Sequence, residues 1–174
     1  MLVATASAQV APVTDASLLA AALTAEQLSV LAYERALTLS FFTDVQLALL
    51  GELLAHERAH VEVLTRELTA LGAGLPPAPT KDSDVDAALS SHGMSGSLGG
   101  LSSVKDALKL LLDVGALCEG AYSEAVEKLS APRPLALAVQ ALGSEAQHAT
   151  LLSEQYFSGD VVDSVPDWYV GGVR

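Results

Sequence analysis

Four stretches of this chain place leucine, valine and tyrosine at the spacing of one helical face, with polar residues between them. The first predicts a helix, A, that begins after Thr14-Asp15, where Asp15 or Ser17 can cap it, and runs to about Phe42. Its inward positions are Leu19, Leu23, Val30, Tyr33 and Leu37. Thr43 to Gln46 has the form of a capping box and opens helix B, which turns Leu47, Leu50, Leu54, Val61, Leu64 and Leu68 inward and stops at Gly72. Helix C starts near Ser103, with Leu108, Leu112, Gly115, Tyr122, Val126 and Leu129 on one stripe, and ends at Ser130-Ala131-Pro132. Pro134 suits the first turn of helix D, whose stripe is Leu135, Leu142, Leu152 and Tyr156 and whose stop is Gly159.

The links between these helices define a topology. A to B and C to D are tight, so each pair is an antiparallel hairpin. Between B and C lie residues 73–102, rich in Gly, Ser, Pro and Asp, enough chain to climb a bundle of roughly 40 Å. The expected fold is all-α: an antiparallel four-helix bundle with one long B–C crossover, the topology of ferritin-like folds. Residues 1–15 are expected to form a flexible N-terminal segment and 16–158 the bundle. The tail 159–174, with Trp168 and Tyr169, is expected to pack on the bundle or on a neighbouring subunit.

Composition narrows the function. The 174 residues are 51% hydrophobic but only 5% aromatic, which with few prolines favours helix. A net charge of −12 leaves no basic patch for a nucleic acid. No stretch of about 18 residues is free of charged or strongly polar groups, so no membrane span is expected. The single cysteine, Cys118, excludes an intramolecular disulfide, a CxxC site or a four-cysteine iron centre. The first basic residue is Arg35, so a secretory signal is not expected and the cytoplasm is, although residues 1–14 could be the remnant of a trimmed leader.

Each apolar stripe is interrupted by groups that seldom enter a core. Glu26 falls on the face of A, Glu57 and His60 on B, Glu119 on C, and Glu145 with His148 on D. Residues three apart share a helical face, so each Glu-x-x-His pair can aim both heads at one point. The two hairpins also set these groups level. Glu26 and Glu57 are equidistant from the A–B turn and Glu119 and Glu145 from Pro132, both pairs about 20 Å from their turns. Four carboxylates in an apolar core need compensation, and no Lys or Arg falls on the inward stripes. Two divalent cations supply it. Carboxylate and imidazole donors without thiolate suit iron, manganese or zinc, and one Glu from each of two helices with Glu-x-x-His from two others is the ligand pattern of di-iron and di-manganese carboxylate bundles.

Three segments carry a family resemblance. Leu23-Thr-Ala-Glu26-Gln-Leu-Ser-Val-Leu-Ala-Tyr33, His56-Glu57-Arg-Ala-His60-Val-Glu-Val-Leu64 and Ser144-Glu145-Ala-Gln-His148-Ala-Thr-Leu151 resemble the first, second and fourth helices of the ferritin-like superfamily. That superfamily includes bacterioferritin, rubrerythrin, manganese catalase and the desiccation-related ferritin-like proteins. The resemblance spans residues 17–157. It implies metal ligands at Glu26, Glu57, His60, Glu119, Glu145 and His148; Tyr33 is expected either as core packing or, one turn from the site, as a hydrogen bond to a ligand. Helix C is its weak member, and Asp113 and Glu124 are alternatives to Glu119 there. His56 is expected at the interface edge and Cys118 as a small buried filler. Glu34, Glu62, Glu67, Glu124 and Glu127 are expected in solvent, Glu124 pairing with Lys128.

The function expected is that of an oxidoreductase whose two metal ions, iron first and manganese as the alternative, react with O2 or H2O2 in ferroxidase, peroxidase or catalase-like chemistry. A homo-oligomer is expected, with no nucleic-acid or membrane partner. An iron-storage assembly and a metal-free ferritin-like scaffold or stress protein are the competing readings.

Overall fold

The computed structural model describes residues 13–159. The expectations for the tail beyond Gly159, and for all but the end of the N-terminal segment, lie outside the described residues. Five α-helices and one 3-10 turn follow in order: α1 (Asp15–Ala36), α2 (Asp44–Ala70), α3 (Asp82–Ser91), the 3-10 turn (Leu98–Gly100), α4 (Val104–Lys128) and α5 (Pro132–Tyr156). Helices α1, α2, α4 and α5 are the expected A to D, and no strand occurs among the described residues.

Capping explains where the helices begin. Thr14, not Asp15 or Ser17, is the N-cap of α1; its side chain accepts the Ser17 N–H at 3.1 Å. The Asp15 carboxylate is thereby released to accept the Ser130 and Ala131 N–H groups at 3.0 and 2.9 Å, tying the start of α1 to the α4–α5 turn. At α2 the expected box forms, with Gln46 N–H to Thr43 Oγ1 at 3.3 Å and Thr43 N–H to Gln46 Oε1 at 3.0 Å. Gly72 takes a φ of 68° and lets Ala73 N–H return to the Leu68 carbonyl at 3.0 Å, closing α2.

Two expectations about helix extent are corrected. The first helix ends at Ala36 rather than Phe42. Thr38 and Leu39 bond carbonyls only three residues back, and the Thr38 hydroxyl captures the Arg35 carbonyl at 2.8 Å, so the helical ladder stops and Phe42 turns back into the core. The crossover is not a plain loop. Asp84 accepts the Thr80 and Lys81 N–H groups at 2.8 and 3.0 Å, starting α3, and Val85 and Leu89, four apart, bury fully. The Val85–Leu89 spacing was the available signal, masked by surrounding Asp and Ser.

Small buried residues on both α1 (Ala22, Ala32, Ala36) and α4 (Ala107, Cys118, Ala125) accompany the close approach of these helices. The backbones of α2 and α5 barely meet. That tight α1–α4 seam also rotates α4 from its expected orientation. Leu111, Val114, Cys118, Tyr122 and Ala125 face the core, whereas Leu112, Gly115 and Val126 lie on the flank. Helix α1 is long and apolar enough to cross a membrane by length and composition, a test that a buried core helix also passes. Here 56% of that window is buried within the bundle, and its core face carries Glu26. Two apolar clusters, one around Leu50, Leu53, Val85 and Leu111 and one around Leu19, Leu68 and Tyr122, fill the bundle.

Candidate metal centre

The helical rise brings Glu26 of α1, Glu57 and His60 of α2, and Glu145 of α5 to one level of the bundle. Each offers a ligand atom within 4.8 Å of those of the other three. The three carboxylates are almost fully buried and His60 is half-buried. His148, also buried, turns its Nδ1 to Glu57 Oε1 at 3.1 Å and to Glu145 Oε1 at 3.7 Å. His60 Nδ1 lies 3.1 Å from both Glu26 Oε1 and Glu145 Oε1.

His148 Nδ1 and Glu57 Oε1 are hydrogen-bonded, but most of the other cluster atoms are close without being bonded to one another. His60 Nδ1 and Glu145 Oε1 are buried with no aligned hydrogen-bond partner despite their 3.1 Å separation, and Glu26 Oε2 and Glu57 Oε2 are orphaned as well. Buried polar atoms are ordinarily satisfied. Donor atoms from three helices that converge on shared space, rather than on each other, have the arrangement of a cation cage. A donor set of carboxylate oxygens and imidazole nitrogens fits a divalent transition ion.

Protons balance the cluster when no cation does. Burial lowers the proton affinity of His60, but the facing Glu145 and Glu26 carboxylates outweigh it and hold its pKa up at about 10. His148 is likewise desolvated, yet Glu145 and Glu57 raise it to about 9. Burial pushes Glu26 well above the carboxylate range, whereas the His148 and His60 rings overcome the desolvation of Glu145 and lower it. Among the described residues no Lys or Arg pairs with these carboxylates; the ion pairs of Arg58 and Arg133 are made with Glu34 and Glu67.

The remaining expected site residues are placed as follows. Glu119 is half-buried on the flank of α4 and outside the converging four, because α4 presents Cys118 to the core at that level. Its Oε1 is nonetheless buried and unpartnered, and burial together with the Glu145 charge raises its pKa. The alternatives on α4 are engaged elsewhere: Asp113 pairs with Lys109, and Glu124 with Lys128 at 2.7 Å as expected. Glu67, expected in solvent, is buried against Arg133 at 2.7 Å. Tyr33 is buried near the cluster, where burial and then the Glu57 and Glu145 charges raise its pKa.

The hydroxyl that donates to a cluster carboxylate is that of Tyr122, at 2.5 Å from Glu26 Oε1. The sequence pattern places Tyr122 on the inward stripe of helix C, and its spacing of three from Glu119 is the signal that links it to the site. His56 reaches further in than expected and contacts His148 at 3.1 Å.

The chain is a four-helix bundle whose converging buried carboxylates and imidazole could hold a metal ion. The sequence matches the profile of the ferritin-like domain family over residues 14–157, and the chain belongs to that family. No significant match exists among curated proteins or among solved structures.

Proposed function

We propose that this chain holds two divalent metal ions, iron in first place and manganese as the alternative, and reacts with O2 or H2O2. The observation that carries the reading is the set of buried, unpartnered ligand atoms on Glu26, Glu57, His60 and Glu145. Two imidazoles among shared carboxylates support a pair of ions: His60 beside Glu26, Glu145 and, at 4.0 Å, Glu57, and His148 beside Glu57 and Glu145. Glu119, with its free buried oxygen near Glu145, would complete the set.

Bound ions supply the redox equivalents and polarise the oxidant. The chain's own residues set the surroundings. Tyr122 holds Glu26 in place through its hydroxyl. A cavity of about 170 Å³, lined by His60, Val63, Leu64, Tyr122, Leu137, Gln140 and Ala141, reaches the cluster and has room for O2 or H2O2. Homo-oligomer formation belongs to the same proposal.

Elemental analysis after anaerobic Fe(II) loading, followed by exposure to O2 or H2O2, tests the reading. Two ions per chain and rapid oxidation are expected, with Glu57→Ala losing at least one ion. Protein that holds no metal, or a Glu57→Ala variant that keeps both ions, overturns it. Size-exclusion chromatography reads the assembly.

A further inference from the structure

We infer that His56 is a positioning residue for His148, accepting the Nε2–H of that ring and so presenting its Nδ1 to the cluster; the inference rests on the metal reading above. His56 precedes Glu57 on α2 and is exposed. Its Nδ1 lies 3.1 Å from Nε2 of His148, and the two rings stack with centroids 5.3 Å apart at 21°. The opposite nitrogen of His148, Nδ1, faces Glu57 Oε1 at 3.1 Å and Glu145 Oε1 at 3.7 Å.

A hydrogen bond between two imidazoles requires one nitrogen to donate and the other to accept. If His56 Nδ1 donated, His148 would accept at Nε2 and carry its own proton on Nδ1, closing that nitrogen to a cation. If His148 donates from Nε2, Nδ1 is open to a cation between the carboxylates. The second assignment also puts the His56 proton on Nε2 of an exposed ring, where water satisfies it. Ser144 Oγ, one turn earlier on α5, offers a longer contact of 3.3 Å to the same nitrogen. His56 differs from it in coming from the facing helix. It therefore ties His148 to α2 across the one side of the bundle where the backbones barely meet. A ring nitrogen remote from a metal is commonly held by a carboxylate or carbonyl. Here an imidazole takes that place.

Equilibrium titration with Co(II), followed by its visible absorption, tests the assignment in the full chain. His56→Phe keeps a ring to stack but removes the acceptor, whereas His56→Gln returns an acceptor. Exposed Glu52→Gln serves as the neutral control. Affinity for Co(II) should fall by about 10–100-fold in His56→Phe, recover for the most part in His56→Gln, and stay at the wild-type value in Glu52→Gln. Long-range nitrogen–proton correlation spectra of the Zn(II)-loaded wild-type chain should show His148 protonated at Nε2 and His56 also protonated at Nε2. These spectra need no variant to fold. Wild-type affinity in His56→Phe, or a His56 proton on Nδ1, overturns the inference while leaving the metal reading intact. A wild-type chain that takes up neither Co(II) nor Zn(II) removes the metal reading itself and this inference with it.

Discussion

The two sides of the bundle are built on opposite principles. Where α1 meets α4 the backbones approach closely over small buried residues, Ala22, Ala32 and Ala36 against Ala107, Cys118 and Ala125. Where α2 faces α5 the backbones stay apart, and the gap holds His60, His148 and a cavity of about 170 Å³. The closed side is packed mainly through small apolar residues. The open side adds imidazole and carboxylate side chains to its apolar contacts, so part of its integrity depends on protons or cations.

The sharpest test of that contrast is removal and return of metal at varied pH. A divalent ion present at a thousandfold excess over its Kd should stabilise the fold by about 4 kcal/mol, read as a rise in Tm of roughly 10 °C. Without metal, His60 and His148 bind their protons more tightly folded than unfolded. That stability is complete below their ordinary value of 6.5 and is lost as pH rises through about 9 and about 10. The raised Glu26 acts in the same direction. The lowered Glu145 contributes above its ordinary 4.5 and loses that contribution below it. The metal-free Tm should therefore peak between pH 4.5 and 6.5 and decline towards pH 10. A flat profile over that range would show that the open side is not held by protons.

A matched pair of substitutions separates the two sides by packing alone. Ala32 is fully buried in α1, so Ala32→Leu should overpack the closed side and cost about 1–3 kcal/mol in chemical denaturation. Ala141 borders the cavity on the open side, so Ala141→Leu should cost under about 1 kcal/mol, the added methyls filling existing space. Equal costs would mean that the cavity is not available volume. At the small end, Arg66→Ala removes an exposed pair with Glu62 at 3.6 Å and should change stability by no more than about 0.5 kcal/mol on either background.

Most of the architecture could be read from the chain. The capping box at Thr43, the stop at Gly72 and the start at Ser103 all rest on contacts within a few residues, which sequence spacing reports directly. So did the level of Glu26, Glu57, His60 and Glu145, because helical rise and hairpin length translate position into height. Helix α3 escaped notice because ten residues rich in Asp and Ser carry only one buried apolar pair.

The face of α4 could not be decided in the same way. Its sequence supports a stripe through Gly115 and Glu119 nearly as well as one through Val114 and Cys118, and only the close approach to α1 selects the second. That choice sets Glu119 at the margin and gives Tyr122, not Tyr33, the bond to Glu26. The approach of His56 to His148 spans 92 residues of chain between helices whose backbones barely meet. Periodicity determines which residues share a face and at what height. Rotation about the helix axis, and contacts across the bundle, follow from how four surfaces pack together, which no single helix encodes.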